Sequence, residues 1–480
     1  MNVKNYIGGR WQDARDKQTL DLIDPASAEV YGSLPSSKAG DANDAVAAAN
    51  EMANSWKKIT NRERSRILME IAAGIKKRSH EFALAETKDT GKPLSLTTKV
   101  DIPRSINNFE FFAGAAEHFA SESYHDPDFL NYTRREPLGV VACIAPWNLP
   151  LYLLTWKIAP ALAAGNTVVC KPSEVTPVTA HLLSEVLSES SLPDGVVNVL
   201  HGLGGEVGEA LITHKDVKAI SFTGSTATGQ QIASLAAPHL KKVSLELGGK
   251  NPFIVLEDAD LERAAQEAAR AAFTNQGQIC LCGSRLLVSD KIYDEFMCFF
   301  LKAAKSFIPN DPLEPSTNFG SLVSRSHFEK VLAYLDKAQK AGGDFLLGGQ
   351  PIKLVGRLEN GFFVPPTVIA GLSADHCINQ EEIFGPVVSV QKFESLREAA
   401  EIANDTPYGL AASIWTDQQK AALTLGETLE FGMIWVNCWM KRDLRTPFGG
   451  MKASGMGREG GFDAMRFMTE AKNIGIFYGE

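Results

Sequence analysis

From Gly139 onward, short apolar runs alternate with amphipathic stretches, and this alternation restricts the possible folds more than any other feature of the chain. The first five runs are predicted strands, over residues 140–145, 167–170, 196–200, 219–222 and 243–247. Helices are predicted between them, near residues 151–163, 177–188, 206–212 and 225–235. Several runs are apolar without alternation, which is typical of parallel strands covered on both faces. The pattern therefore predicts a doubly wound α/β domain.

The alternation resumes after the pair Gly248-Gly249, beginning with a predicted strand over 253–256 and continuing to about residue 436. A second α/β domain is therefore predicted to begin near Lys250. Two domains also suit the length of 480 residues, which is too long for one compact core. The polar stretch 121–136 and a predicted strand over 473–478 fit neither domain.

The charge balance narrows the classes of partner. Lys and Arg number 48 against 57 Asp and Glu, a net charge of −9, which repels phosphate backbones and anionic lipids. We therefore expect neither a nucleic acid nor a membrane partner, and the same charge argues against an acidic substrate. The uncharged stretch 137–156 is long enough to span a membrane, but three prolines interrupt it. We therefore interpret it as a buried strand, loop and helix of a soluble domain. Seven cysteines form no disulfide framework, and the chain start lacks an apolar signal core, so a cytoplasmic location is expected.

A cysteine and a glutamate are candidates for catalysis. Cys280 ends the segment FTNQGQIC, after a glycine turn and before a predicted strand, so its thiol could face a cleft as a nucleophile. The alternative is a small buried apolar side chain. Cys282 has no His or Cys partners at ligand spacing, so no metal site is predicted. Glu246 lies within an apolar strand, where burial would raise its pKa and make it a general base; the alternative is an ion-paired strand end.

An asparagine and several strand ends could bind the oxyanion and a cofactor. Asn148 lies between two prolines in PWNLP. Its side chain could donate a hydrogen bond to an oxyanion, and the alternative is that it only forms a turn. The segment 222–229, FTGSTATG, follows a strand and opens a helix, where backbone amides could bind a pyrophosphate. Lys171 and Glu174 end another strand and could hold ribose hydroxyls, with the carboxylate disfavouring a 2′-phosphate; the alternative is a solvated loop. The glycine-rich 202–205 does not match the dinucleotide fingerprint.

In their order along the chain, the motifs PWN, KPSE, FTGS, LELGGKNP, NQGQIC, EEIFGP and PFGGMKASGMGRE resemble the NAD(P)-dependent aldehyde dehydrogenase superfamily over essentially the whole length. The resemblance implies an α/β fold with two doubly wound parallel-sheet domains and a small β oligomerisation element. The implied bounds are 1–120 and 137–247 for the NAD-binding domain, 248–462 for the catalytic domain, and 121–136 and 463–480 for the oligomerisation element. A homodimer or homotetramer that uses NAD and an aldehyde is expected.

The resemblance also implies roles for individual residues. Cys280 corresponds to the nucleophile, Glu246 to the general base and Asn148 to the oxyanion donor. Lys157 and Glu459 correspond to a lysine and a glutamate linked to proton relay. The positions that match cofactor contacts are Trp147, Lys171, Glu174, Gly224, Ser225, Gly229, Leu247, Glu382 and Phe384. The implied reaction is oxidation of an aldehyde to an acid through a cysteine thioester.

A narrower resemblance concerns the substrate. The segments NCWMKRDLR at 437–445 and DIPR at 101–104 are similar to those of 2-aminomuconic and 2-hydroxymuconic semialdehyde dehydrogenases. In relatives that act on apolar aldehydes, the position of Arg442 is commonly aromatic, whereas a guanidinium can bind a carboxylate bidentately. We therefore predict that Arg104 and Arg442 bind the distal carboxylate of a muconic semialdehyde, with Arg445 as a weaker candidate. The alternative is that these arginines form surface or subunit ion pairs.

Several readings stay open at this point. The amino- and hydroxymuconic semialdehydes are not distinguished, and succinic semialdehyde also carries a carboxylate. A quaternary ammonium substrate is disfavoured by Arg442, because such ligands prefer aromatic and acidic pockets. Two alternatives of another class are a non-catalytic relative and a cysteine hydrolase. The first is disfavoured because it would not need Cys280 and Glu246, and the second because it would not need the cofactor motifs. Locally placed arginines would override the net charge of −9.

Overall fold

The computed structural model describes residues 1–479. In chain order the strands are β1 Asn5–Ile7, β2 Arg10–Gln12, β3 Thr19–Asp24, β4 Glu29–Pro35, β5 Ser123–Asp126, β6 Phe129–Pro137, β7 Val140–Ile144, β8 Thr167–Lys171, β9 Val197–Val199, β10 Val217–Thr223, β11 Lys242–Glu246, β12 Pro252–Val255, β13 Arg285–Ser289, β14 Asp344–Leu347, β15 Thr367–Ala370, β16 Val387–Phe393, β17 Tyr408–Gly409, β18 Ala411–Trp415, β19 Met433–Val436, β20 Met451–Lys452, β21 Gly455–Met456 and β22 Thr469–Phe477.

The helices alternate with these strands over most of the chain. They are α1 Ala39–Lys58, α2 Asn61–Lys77, α3 Ser79–Thr90, α4 Leu94–Leu96, α5 Ile102–His118, α6 Pro150–Ala163, α7 Val178–Glu189, α8 Glu209–Thr213, α9 Thr226–Ala236, α10 Leu261–Phe273, α11 Tyr293–Ala304, α12 Arg325–Lys340, α13 Cys377–Gln380, α14 Leu396–Asn404, α15 Gln419–Thr428 and α16 Gly461–Phe467. None of the helices within residues 1–479 combines the length and the apolar character that a membrane span requires.

The first sheet has eight strands in the order β2-β1-β9-β8-β7-β10-β11-β21. Its five central strands are parallel and are the five predicted from apolar runs. The edge strands β1, β2 and β21 run antiparallel and were not predicted, because they are only two or three residues long. The helix predicted over 206–212 is wrong in detail: a π-turn occupies Gly204–Gly208, and α8 begins only at Glu209.

The second sheet has seven strands in the order β14-β15-β16-β13-β12-β18-β19, parallel except for β14 at one edge. The prediction of two doubly wound α/β units is therefore confirmed. The largest cluster of buried apolar side chains includes residues that flank both sheets, such as Val141 and Phe253. The two units thus share a continuous core.

A third sheet accounts for the two segments that fitted neither unit. β6 pairs antiparallel with β22 over nine residue pairs, from Thr469 opposite Pro137 to Phe477 opposite Phe129, and β5 completes the sheet. Most residues of β5 and β22 are exposed to solvent. The C-terminal strand begins four residues before its predicted start at 473.

The parallel arrangement brings distant segments to one edge of the first sheet. Because the carboxyl ends of parallel strands meet at the same edge, the loops after β7, β8 and β10 and the end of β11 lie side by side. The loops after β7 and β10 carry Asn148 and Ser225, and the strands β8 and β11 end at Lys171 and Glu246. The second sheet contributes the opposite wall through the turn after α10.

Candidate active site

A groove at this edge brings most of the predicted site residues together. Its inner part is a cavity of about 200 Å³. Among the predicted residues, those that line it are Trp147, Asn148, Gly224, Ser225, Leu247, Cys280, Glu382 and Phe384. An adjoining cavity of about 400 Å³ shares Trp147, Gly224 and Ser225 with it and extends to Lys171 and Glu174. The predicted residues, which come from six separate stretches of the chain, therefore form one continuous groove.

The turn before Cys280 aims this residue into the groove. Asn275, Gln276 and Gly277 all have left-handed backbone conformations, with φ of 53°, 54° and 71°. At Gly277 a Cβ would lie 2.1 Å from the carbonyl oxygen of Gly385, so a side chain cannot be accommodated there. The segment is anchored because the Asn251 amide donates to the carbonyl oxygen of Cys280 at 2.7 Å.

The environment of the Cys280 thiol disfavours its ionised form. Burial, with the nearby carboxylates Glu382 and Glu246, raises the pKa of this thiol, and Arg442 partly opposes the shift. The thiolate is the reactive form of a cysteine. Generating it therefore requires a base or an additional positive charge in the groove.

Glu246 is a buried carboxyl group without a hydrogen-bond partner. Only 4% of the residue is exposed, and neither carboxyl oxygen has a partner within residues 1–479. Burial, and then repulsion from Glu459, raises the pKa of Glu246 well above its usual value, against the attraction of Lys157 and Arg442. A carboxyl group with a raised pKa and free oxygens is suited to accept and release a proton near neutral pH.

Asn148 places an amide group near the thiol. Its side-chain nitrogen donates to the carbonyl oxygen of Gln278 at 2.9 Å, which uses one of its two N–H bonds. The backbone amide of Cys280 has no acceptor within residues 1–479. One side-chain N–H and one backbone N–H thus stay free beside the reacting thiol, as an oxyanion site requires.

Lys157 and Glu459 form a buried ion pair at 2.7 Å. Ser221 joins it, because its hydroxyl donates to the same oxygen of Glu459 at 3.0 Å. Glu459 and Lys157 both act electrostatically on Glu246. The predicted relay residues therefore lie within the electrostatic reach of the predicted base.

The other end of the groove fits a dinucleotide. Ser225 caps the eleven-residue helix α9 by accepting a hydrogen bond from the Thr228 amide, so the positive end of this helix faces the groove. Lys171 donates to Glu174 at 2.7 Å, where a carboxylate suits a ribose and repels a 2′-phosphate. Gly229 does not line either cavity; a Cβ there would lie 2.4 Å from Leu247, so this glycine permits close helix–strand packing.

Glu382 and the aromatic pair Trp147–Phe384 form the wall next to Cys280. Glu382 accepts a hydrogen bond from the Gly249 amide at 2.9 Å, and burial raises its pKa to about 6. The rings of Trp147 and Phe384 meet edge to face, with centroids 5.2 Å apart. This arrangement leaves a flat space bounded by aromatic and carboxylate groups.

Sequence reasoning missed several residues of the groove. His327 and Lys330 on α12 line the inner cavity. His327 lies 2.7 Å from the carbonyl oxygen of Phe384 and burial lowers its pKa to about 4, so the ring is neutral. Lys330 donates to the Glu382 carbonyl oxygen at 3.3 Å. Neither residue belongs to a recognisable motif. The glycine-rich segment 202–205 could have been found, because its Gly204 lines the outer cavity even though the segment does not match the dinucleotide fingerprint.

The three predicted substrate arginines are placed differently. Arg442 donates to the Tyr152 hydroxyl at 2.6 Å and stacks over Phe448 at 4.0 Å, with no carboxylate partner within residues 1–479. Its charge opposes the rise in the pKa of the Cys280 thiol, although Arg442 does not itself line the cavity that contains Cys280. Arg104 is half-buried on α5, without an ion pair in the described chain.

Arg445, the weaker candidate, is not brought to the thiol. Its guanidinium pairs with Asp443 at 2.6 Å, and 80% of its side chain is exposed. It borders a separate apolar cavity together with Phe111 and Phe462. The prediction for Arg445 is therefore corrected. Although Arg445 is only three positions after Arg442, its side chain points outward and pairs with Asp443, which lies between them in the sequence.

Comparison with known proteins agrees with this geometry. The chain matches the model of the aldehyde dehydrogenase family over residues 11–474. It is 45% identical to the human 2-aminomuconic semialdehyde dehydrogenase, over 99% of this chain and 98% of that protein. It is 44% identical to the 2-hydroxymuconic semialdehyde dehydrogenase of Pseudomonas sp. (strain CF600), over 98% of this chain and 99% of the relative.

A solved structure is similar over the same extent. A crystal structure of an indole-3-acetaldehyde dehydrogenase with NAD⁺ superposes with a TM-score of 0.97 at 40% identity, covering 99% of this chain and 96% of the other. The chain belongs to the aldehyde dehydrogenase family. It is accordingly an NAD-dependent aldehyde dehydrogenase, and the groove with its helix end and its Lys171–Glu174 pair fits NAD.

Proposed function

We propose that this enzyme oxidises a semialdehyde that carries a carboxylate, with 2-aminomuconic 6-semialdehyde as the first substrate to test and 2-hydroxymuconic semialdehyde as the second. The observation that carries the proposal is Arg442, a guanidinium held by Tyr152 whose charge acts on the Cys280 thiol and which forms no ion pair within residues 1–479. The names of the relatives that share this chain's length and pattern point to the same substrates.

Arg442 is suited to bind an anion because its surroundings hold it without neutralising it. Tyr152, Trp156 and Phe448 surround the guanidinium, with Phe448 at 4.0 Å and Trp156 at 5.4 Å from its central carbon. Aromatic faces stabilise a cation and leave its N–H donors available. A carboxylate arriving there would receive charge-assisted hydrogen bonds from the guanidinium.

Arg104 is proposed as the second contact of that carboxylate. It lies one helical turn before Asn108 on α5, and Asn108 donates to the carbonyl oxygen of Tyr152 at 3.0 Å. Residues four apart share one face of a helix. Arg104 is thus on the face of α5 that packs against α6, the helix that also carries the Tyr152 partner of Arg442.

Cys280, Asn148 and Glu246 would carry out the reaction. The Cys280 thiolate attacks the aldehyde carbon, and the new oxyanion receives hydrogen bonds from the Asn148 side chain and the Cys280 backbone amide. Bound NAD supplies the hydride acceptor for this adduct. Glu246 then takes a proton from water, which attacks the resulting thioester and releases the acid and the thiol. Lys157 and Glu459 are proposed to carry the proton from Glu246 onward.

The remaining assignments concern organisation. We infer that residues 1–120 and 137–247 bind NAD, and that residues 248–462 form the catalytic domain. The segments 121–136 and 463–480 are proposed as the oligomerisation element. The exposed sheet of β5, β6 and β22 would join subunits into a homodimer or homotetramer, because its edge strands have unpaired backbone groups. A cytoplasmic location is proposed on the seven free cysteines, which suit a reducing compartment.

A substrate panel tests the proposal. The purified enzyme is assayed with NAD and with NADP against 2-aminomuconic, 2-hydroxymuconic and succinic semialdehydes and against neutral aldehydes of similar size, by following the reduced cofactor. The proposal expects kcat/KM to be highest for a muconic semialdehyde with NAD. Equal kcat/KM for neutral and carboxylated aldehydes would contradict it.

A further inference from the structure

Lys92 is a fully buried cation that has no place in the chemistry described above. Its ammonium group donates to the Asn148 carbonyl oxygen at 2.7 Å, to Asp101 at 2.7 Å and to Glu86 at 3.2 Å. All three of its hydrogens are therefore used. Because burying a charge is costly unless the charge is paired and hydrogen-bonded, an interior lysine in this arrangement requires a specific set of neighbours.

The two carboxylates around Lys92 connect it to other elements of the site. The second oxygen of Glu86 accepts a hydrogen bond at 3.4 Å from the Leu151 amide, at the start of α6. Asp101 ends a π-turn that begins at Thr97, directly before the helix that carries Arg104. π-turns of this kind are often found at functional sites. Lys92 thus lies where three elements around Asn148 meet.

Asn148 is held from both sides. Its backbone carbonyl oxygen accepts from Lys92 and also, at 3.2 Å, from the Asn275 side chain. Its own side-chain amide donates to the carbonyl oxygen of Gln278. These contacts leave one orientation for the remaining side-chain N–H. Asn275 and Gln278 belong to the turn that carries Cys280, whereas Lys92 belongs to the connection between α3 and α4.

We propose that Lys92 is a positioning residue that fixes Asn148 so that its free amide N–H meets the oxyanion formed on Cys280. The proposal rests on the oxyanion role given to Asn148 above. Lys92 itself does not touch the reacting atoms; it acts through the backbone of Asn148. Since a displacement of about 1 Å at a reacting centre can cost about a hundredfold in rate, loss of the Lys92 contact should slow every step that forms an oxyanion at Cys280.

Two reactions of the same thiol separate this role from a general loss of structure. p-Nitrophenyl acetate acylates a thiol through a tetrahedral oxyanion, whereas iodoacetamide alkylates it by displacement without an oxyanion. In Lys92→Met we expect acylation by the ester and kcat for the aldehyde to fall about tenfold to a hundredfold. Alkylation by iodoacetamide and the Kd for NAD should change less than about twofold. Lys99→Met, an exposed lysine in the same π-turn, is the matched control and should behave as wild type.

A double-mutant cycle with Asn148→Ala tests whether the effect passes through Asn148. In the Asn148→Ala background, Lys92→Met should lower ester acylation by less than about threefold. Unchanged acylation in Lys92→Met, an equal fall in acylation and alkylation, or additive effects of the two substitutions would each overturn the proposal. If Asn148→Ala alone leaves acylation unchanged, the oxyanion role of Asn148 fails instead.

Removing Lys92 leaves two carboxylates without their cation, so a second variant guards against misfolding. Lys92→Met/Asp101→Asn removes one positive and one negative charge and keeps the volume. It lacks the same hydrogen bond to Asn148 and should show the same selective loss of acylation. Acylation at the wild-type rate in this variant would overturn the proposal as well.

Discussion

The two sides of Cys280 are built in different ways. On the cofactor side, the groove is made of strand ends and helix starts, where Ser225 caps α9 and Lys171 pairs with Glu174. On the substrate side, the wall is made of side chains from separate elements, such as Arg442 and its partner Tyr152, 290 positions apart in the chain. The first side fits NAD and is set by local backbone geometry. The second depends on a few long-range contacts, so specificity can change there without disturbing the fold.

The largest effect is expected from replacing Cys280, whose sulfur lies between the cofactor side and the substrate side. Cys280→Ala should abolish formation of NADH, because no other thiol occupies the cavity, whose lining includes only this cysteine within residues 1–479. NAD binding, measured by quenching of the protein fluorescence, should stay within about threefold of wild type. Normal turnover by this variant would remove the basis of the whole assignment. Cys282→Ala, two residues away and buried outside the cavity, serves as the control and should keep its activity.

The next largest effect is expected at Glu246. Glu246→Gln should lower kcat by about a hundredfold to ten-thousandfold, the usual range for a general base, and leave a burst of NADH equal to one per active site. Burial raises the pKa of Glu246, so the base gains its charge only at a pH above the range usual for a glutamate, and wild-type kcat should increase as pH rises through that higher range. That increase in kcat should be lost in Glu246→Gln. A variant with the same pH profile as wild type would mean that another group activates the water.

A smaller effect is expected at Tyr152, which holds Arg442 from the substrate side. Tyr152→Phe removes one hydrogen bond to a charged group, worth about 1.5–3 kcal/mol, but the aromatic packing of the guanidinium is kept. We expect KM for the carboxylated semialdehyde to rise about threefold to tenfold, with kcat and the Kd for NAD little changed. An effect on NAD binding as large as that on KM would show that the two sides are not independent.

The cofactor side could be predicted from the sequence better than the substrate side, because the first depends on local patterns and the second on long-range contacts. The central strands and the position of Gly224 and Ser225 at the groove could be predicted, since a strand end followed by glycine and a helix cap is a local pattern. His327, Lys330 and Lys92 could not, because their roles arise from contacts between elements far apart in the sequence. Arg445 was misplaced for a different reason: its partner Asp443 is only two residues away, but the sequence does not show which of the two nearby arginines, Arg442 or Arg445, pairs with it.

One helix was also predicted wrongly, because the prediction used only the local composition of the segment. The segment 206–212 has the composition of a helix, but Gly204, Gly205 and Gly208 allow a π-turn whose backbone comes close to the outer cavity. The short antiparallel edges of the first sheet were missed because two or three residues carry no periodic signal. The central parallel strands were found, because four of the five span five to seven residues and each contains the apolar run that marks it in the sequence.

The pair Arg442 and Arg445 offers the most direct test of the substrate proposal. Each is replaced by alanine, and kcat/KM is measured for a muconic semialdehyde and for a neutral aldehyde of the same length. Arg442→Ala should lower kcat/KM for the carboxylated substrate about tenfold to a hundredfold, the loss of a charge-assisted contact, and change the neutral one less than about threefold. Arg445→Ala should leave both unchanged. An equal fall for both aldehydes in Arg442→Ala would contradict carboxylate recognition by this arginine.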